Sequence, residues 1–73
     1  MPKLAVLSGK EVCSILAQHG FVEVRRRGSH IVMQRVDNGQ TTTVPVPAHR
    51  AVRRGTLRAI IPQSGLPRSL FEA

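Results

Sequence analysis

The chain is short of the residues on which most enzymes and many RNA-binding surfaces are built. It carries four Asp and Glu in all, one cysteine, two phenylalanines, and neither tryptophan nor tyrosine. Each shortage removes a class of function. Among the carboxylates, Glu11 has the position of a helix cap, Asp37 lies in a turn and Glu72 stands near the end. Only Glu23 is left for a site, and a glycosidase pair or a two-metal nuclease needs more. His19, His30, His49 and Cys13 fall at no spacing that suggests zinc, so neither metal nor cofactor is expected. The glycines form no Walker-type phosphate loop. A single cysteine excludes an internal disulfide and suits a reducing cytoplasm. Without rings on which bases can stack, an RNA surface that works by aromatic stacking is disfavoured. No apolar run approaches a membrane span, and Met1 to Leu7 is too short and mixed for a signal peptide. A cytoplasmic protein with no membrane partner is the expectation.

What is abundant is positive charge. Eleven Lys and Arg against the four acids give a net charge of +7, and nine of the eleven are Arg. Arg grips phosphate through a planar fork of donors. The default partners of a small basic domain are polyanions, and contacts to backbone phosphate would weaken steeply as salt rises. Seventy-three residues suffice for a single domain, 1–73, with a small core and any chemistry on an open surface. Hydrophobic content of 41% is that of a folded domain, and Val, Ile and Leu must supply the core that aromatics usually supply.

Ser8 and Glu11 have the spacing of a capping box. Val12, Ile15, Leu16 and His19 follow at helical intervals, and Gly20 is a left-handed stop, which predicts a helix over about 9–19. Phe21 to Arg27 reads as a strand broken by Gly28. Ser29 to Val36 reads as a second strand, with Ile31 and Met33 on one face and His30, Val32 and Gln34 on the other. Asp37-Asn38-Gly39 marks a hairpin, and Gln40 to Val46 forms a third strand closed by Pro45 and Pro47. After a basic loop over 49–54, Thr56 is expected to cap a second helix with Leu57, Ile60 and Ile61 on its apolar face. Pro62 should kink or end that helix early. Gly65-Leu66-Pro67 is a turn, and Ser69-Leu70-Phe71 a last short turn against the core. The expected fold is α+β in the order α-β-β-β-α: a three-stranded antiparallel meander covered on one face by two helices.

His and Arg remain as the chemical toolkit, and they are the toolkit of metal-independent RNA cleavage. RNA brings its own nucleophile, the ribose 2′-hydroxyl; a His moves a proton near neutral pH, and Arg or Lys steadies the charge growing on phosphate. Spacing alone leaves His30 open between catalysis and a plain solvent-facing strand position. Gly28 suits a turn or bulge with positive φ beside the site. Ser29 would bond either a phosphate or its own backbone. Alternation sends Arg25 and Arg27 to one face and Arg26 to the other, so the three cannot serve one phosphate. Arg25 and Arg27 at the strand end, Lys10 in the first helix turn, and the cluster Arg53, Arg54 and Arg58 are candidate RNA contacts; each has solvation as its alternative. His49 is a loop residue with a possible assisting role, His19 closes the first helix, and Cys13 reads as a small half-buried hydrophobe.

Gly28-Ser29-His30 follows Gly20-Phe21 and three arginines. With Leu7-Ser8-Gly9-Lys10-Glu11, Val44-Pro45-Val46-Pro47-Ala48-His49 and Gly55-Thr56-Leu57-Arg58-Ala59-Ile60-Ile61, it resembles the HicA family from about Leu7 to Leu70. These are the small, YcfA-like toxins of bacterial HicA–HicB toxin–antitoxin pairs. The resemblance implies a fold like the double-stranded-RNA-binding domain and an endoribonuclease that cleaves messenger RNA. It also implies a HicB antitoxin partner that covers the active surface. The family's catalytic His, in its Gly-Ser-His motif, falls on His30. The rival readings are a non-catalytic module that grips double-stranded RNA by shape, and an interaction subunit whose basic face docks an acidic protein.

Overall fold

The computed structural model describes residues 2–73. Helix α1 spans Gly9–Gln18, strands β1, β2 and β3 span Val22–Arg27, His30–Asp37 and Gln40–Pro47, and helix α2 spans Arg54–Ser64. A short 3-10 turn, Arg68–Phe71, ends the fold. The strands pair antiparallel in the order β1-β2-β3, and the order α-β-β-β-α is that of the double-stranded-RNA-binding domain. No helix among the described residues is long and apolar enough to cross a membrane.

The start of α1 follows from its sequence. The Ser8 hydroxyl accepts from the Glu11 amide at 3.1 Å, and the Glu11 carboxylate accepts from the Ser8 amide at 2.9 Å. Both halves of the capping box are thus made. Val12 and Leu16 are fully buried, with Cys13 and Ile15 half-buried beside them. The helix ends one residue earlier than its periodicity suggests, with His19 as the C-cap. Arg35 on β2 donates to the His19 carbonyl at 3.3 Å and lies 5.0 Å from the centroid of the Phe21 ring. That guanidinium complements the negative end of the helix and stacks on one of the chain's two aromatics.

Both hairpins turn in two residues. Asn38 and Gly39 have φ of +51° and +78°, as a type I′ turn requires. In the first hairpin only Gly28, at +58°, is left-handed, the pattern that suits a type II′ turn. Ile31, Met33, Val44 and Val46 turn one sheet face inward to Val12, Leu16, Leu57, Ile60 and Phe71. Pro45 and Pro47 stand two positions apart on β3, an edge strand, so neither has to donate to β2.

Three features depart from or go beyond the sequence expectations, each for a physical reason. Thr56 is not the cap of α2. The helix begins at Arg54 after an extended Arg53, and no side chain caps it. Pro62 does not end the helix, which runs on to Ser64. Arg58, whose carbonyl loses its donor at Pro62, is exposed like Pro62 itself, so the freed group stands on the solvent side. The stop comes from Gly65 in the left-handed conformation, with its amide on the Pro62 carbonyl. The Ser64 hydroxyl reinforces it by donating to the Ile61 carbonyl at 2.7 Å and accepting from the Leu66 amide at 3.1 Å. Third, β1 carries an irregularity that its sequence does not announce. Glu23 pairs with Met33 and Arg25 with Val32, so Val24 is an extra residue bulged out of the ladder. Sequence reading also assigned no element to the first residues, yet Leu4 bridges Glu72, and the Ala5 amide donates to the Phe71 carbonyl at 2.8 Å.

Two glycines have opposite sensitivities. A Cβ on Gly9 would strike the Pro47 carbonyl oxygen and lie 3.0 Å from the Ala48 Cα, whereas one on Gly55, in the first turn of α2, meets nothing. Gly9→Ala is expected to destabilise the protein by about 1–3 kcal/mol, and Gly55→Ala to stabilise it by up to about 1 kcal/mol. Urea denaturation of the two variants measures both.

Candidate nucleic-acid interface

His30 is the first residue of β2, and its backbone neighbours across the sheet are Arg27 on β1 and Pro47 on β3. Directly paired residues of an antiparallel ladder share a face. Since Ile31 and Met33 point to the helices, His30 points to the open face, and it is exposed. Its imidazole makes no hydrogen bond within the described residues. Arg27 stands opposite it. Arg25, paired with Val32, lies on the same face one step along the ladder.

The bulge at Val24 decides this grouping. Phe21 is buried and Glu23 pairs with inward-facing Met33, so uninterrupted alternation would carry Arg25 and Arg27 to the helix side. The extra residue reverses the phase. Two arginines join His30 on the open face, and Arg26, opposite Ile31, turns to the helix side. The expected split between Arg25 with Arg27 and Arg26 is present, and the fold chooses which face each takes.

The turn beside His30 is held from behind. The Ser29 carbonyl accepts from the Ala48 amide, and the His49 carbonyl accepts from the Gly9 amide at 2.9 Å. The first hairpin, the loop after β3 and the start of α1 are thereby tied at one pole. On the helix side of that pole lies a recess of about 310 Å³ lined by Lys10, Arg26, His49 and Arg50 together with Ser8, Ile31 and Ala48. Lys10 and His49 therefore lie near the His30 pole but not on its face. Arg54 and Arg58 lie elsewhere, around a hollow of about 140 Å³ shared with Lys3 and Arg68. Arg53 precedes them as the extended residue before α2. Sequence reasoning did not single out Arg26 or Arg50, because nothing in their spacing brings them to Lys10 and His49.

Glu23, the carboxylate left free by sequence reading, pairs with inward-facing Met33, on the side of the sheet away from His30. The Cys13 thiol is pushed above its ordinary pKa, chiefly by burial, with Glu23 adding to the effect and Arg26 opposing it. Among the described residues no group of three or more His, Cys, Asp or Glu could hold a metal ion.

The site is thus an exposed histidine flanked by arginines on the open sheet face of a small basic α+β domain. The sequence model of the HicA toxin of bacterial toxin-antitoxin systems matches residues 9–66, most of the chain. The protein belongs to this family: it is the toxin half of a toxin–antitoxin pair, which implies an antitoxin partner. No curated protein sequence matches it significantly.

The raised thiol pKa fixes the sign of two measurements. Alkylation of Cys13 at pH 8 is expected to be slower in the folded protein than in urea, since the thiolate is the nucleophile. The protonated thiol favours the fold, so this contribution is complete below the ordinary thiol pKa and is lost as pH rises through the raised one. Equal alkylation rates with and without urea would contradict the burial described.

Proposed function

We propose that this toxin is a metal-independent endoribonuclease that cuts messenger RNA on the open face of its sheet, with His30 as the catalytic residue. The observation that carries the reading is the pairing of Arg27 directly opposite exposed His30, with Arg25 on the same face. His30 moves a proton at the 2′-hydroxyl or at the leaving oxygen. The two guanidinium groups stabilise the charge that develops on the phosphate. The hydroxyl attacks phosphorus, the bond to the 5′-oxygen of the next nucleotide breaks, and that oxygen takes a proton. The products are a 2′,3′-cyclic phosphate and a 5′-hydroxyl.

The other parts have supporting roles. Gly28 sets the turn that places His30 at the strand start, and Ser29, whose carbonyl anchors the turn, lends its hydroxyl to phosphate binding. Lys10, Arg53, Arg54 and Arg58 extend the basic surface along which RNA is drawn, the last two from a region separate from His30. The antitoxin, of HicB type, neutralises the protein by covering the open face. Exposed Val22, Val24 and Val36 supply apolar area for such a cover.

Expression of wild type in bacteria is expected to arrest growth and degrade messenger RNA, and His30→Ala to do neither. In vitro, His30→Ala should lower the cleavage rate by about 10²–10⁴-fold with RNA affinity nearly unchanged. Equal behaviour of the two proteins would favour a module that binds double-stranded RNA by shape, and a 3′-hydroxyl product would exclude the route through the internal nucleophile.

A further inference from the structure

The recess at the His30 pole has no part in the chemistry proposed above, which lies on the opposite face of the sheet. Four basic residues from three segments line it: Lys10 from α1, Arg26 from β1, and His49 and Arg50 from the loop after β3. All four are exposed. Ion pairing neutralises none of them, since the salt bridge formed among the described residues is that of Arg68 with Glu72. No carboxylate lines the recess. The nearest in sequence, Glu11, is turned back onto the Ser8 amide by the capping box.

The backbone adds to the same field. At the start of α1 the Gly9 amide is taken by the His49 carbonyl, the Glu11 amide by the Ser8 hydroxyl and the Val12 amide by the Ser8 carbonyl. The Lys10 amide has no protein acceptor among the described residues. It sits at the positive end of the helix dipole, on a residue that lines the recess. The hydrogen bonds from Gly9 to His49 and from Ala48 to Ser29 fix the walls, so the arrangement stands before any ligand arrives.

We infer that this recess seats a phosphate of the RNA backbone neighbouring the one at which the strand is cut. The connection to the open face is covalent and short. Ser29, bonded to Ala48 at the rim of the recess, directly precedes His30, and Arg26 directly precedes Arg27. A strand crossing the Gly28–Ser29 turn therefore meets Arg27 and His30 on one side, and Arg26 with Lys10 on the other. Two guanidinium forks, an ammonium, an imidazole and a free amide suit a phosphate, whose oxygens accept from several directions at once. This inference takes its substrate class from the ribonuclease reading, but the anion site stands on its own geometry.

The test uses the full chain carrying His30→Ala, which keeps RNA intact, labelled for amide NMR. Inorganic phosphate, a short unstructured oligoribonucleotide and an acidic peptide are titrated in separate arms. The expected result is that phosphate and RNA both shift the amides of Lys10, Arg26, Ala48, His49 and Arg50, RNA at far lower concentration. Adding Arg26→Gln and Arg50→Gln should weaken RNA binding roughly tenfold or more and flatten the dependence of log K on log salt by about 0.7 for each phosphate no longer neutralised. Both side chains are exposed, and an unchanged thermal midpoint certifies the fold. RNA shifts confined to the open sheet face, or an unchanged salt slope, would overturn the inference. A response to phosphate without one to RNA would reduce the recess to a free-anion pocket, and a response to the acidic peptide alone would make it a protein-docking site. Should the recess pass while the wild-type chain cuts no RNA, the ribonuclease reading fails and the phosphate seat remains.

Discussion

Both helices of this fold pack on the same face of the three-stranded sheet, and that one-sided cover governs how the side chains are divided. Ile31, Met33, Val44 and Val46 commit their side chains to that covered face, and both phenylalanines are buried with them. Among the described residues no element packs on the other face. It carries His30, Arg25 and Arg27 beside exposed valines. Packing is thus confined to one side of the sheet, and a substitution on the open face is free of most packing constraints.

The pole at which the first hairpin, the loop after β3 and α1 meet is where the backbone is tied most closely. Gly9 is there because any larger residue would strike the Pro47 carbonyl, and the amides of Gly9 and Ala48 bind the segments together. This junction supports the turn that presents His30 and also shapes the basic recess behind it. One tied corner therefore serves both faces, and cations stand on either side of the Gly28–Ser29 turn.

Much of this was legible in the chain. The capping box at Ser8 and Glu11, the Asn38-Gly39 turn and the alternation in β2 are local signals whose physics is complete within a few residues. Where local rules compete, they mislead. Thr56 is a good cap by type, but α2 starts two residues earlier. Pro62 is a good terminator by type, but its cost is small where the freed carbonyl meets water. Arg35, which clamps the end of α1 onto Phe21, gave no signal, since its partners are distant in sequence.

The sequence by itself determined the element order, the inward set of side chains, the excess of cations over carboxylates, and the Gly-Ser-His segment that marks His30. Each is fixed by residue type and short-range spacing. Only the tertiary structure decided which face each arginine occupies. A strand's period of two says that Arg25 and Arg27 lie together and apart from Arg26, but one bulged residue reverses the assignment, and whether Val24 bulges depends on the register against β2. The same long-range pairing brings Lys10, Arg26, His49 and Arg50 to one recess, a neighbourhood made by chain crossings that no spacing along the chain encodes.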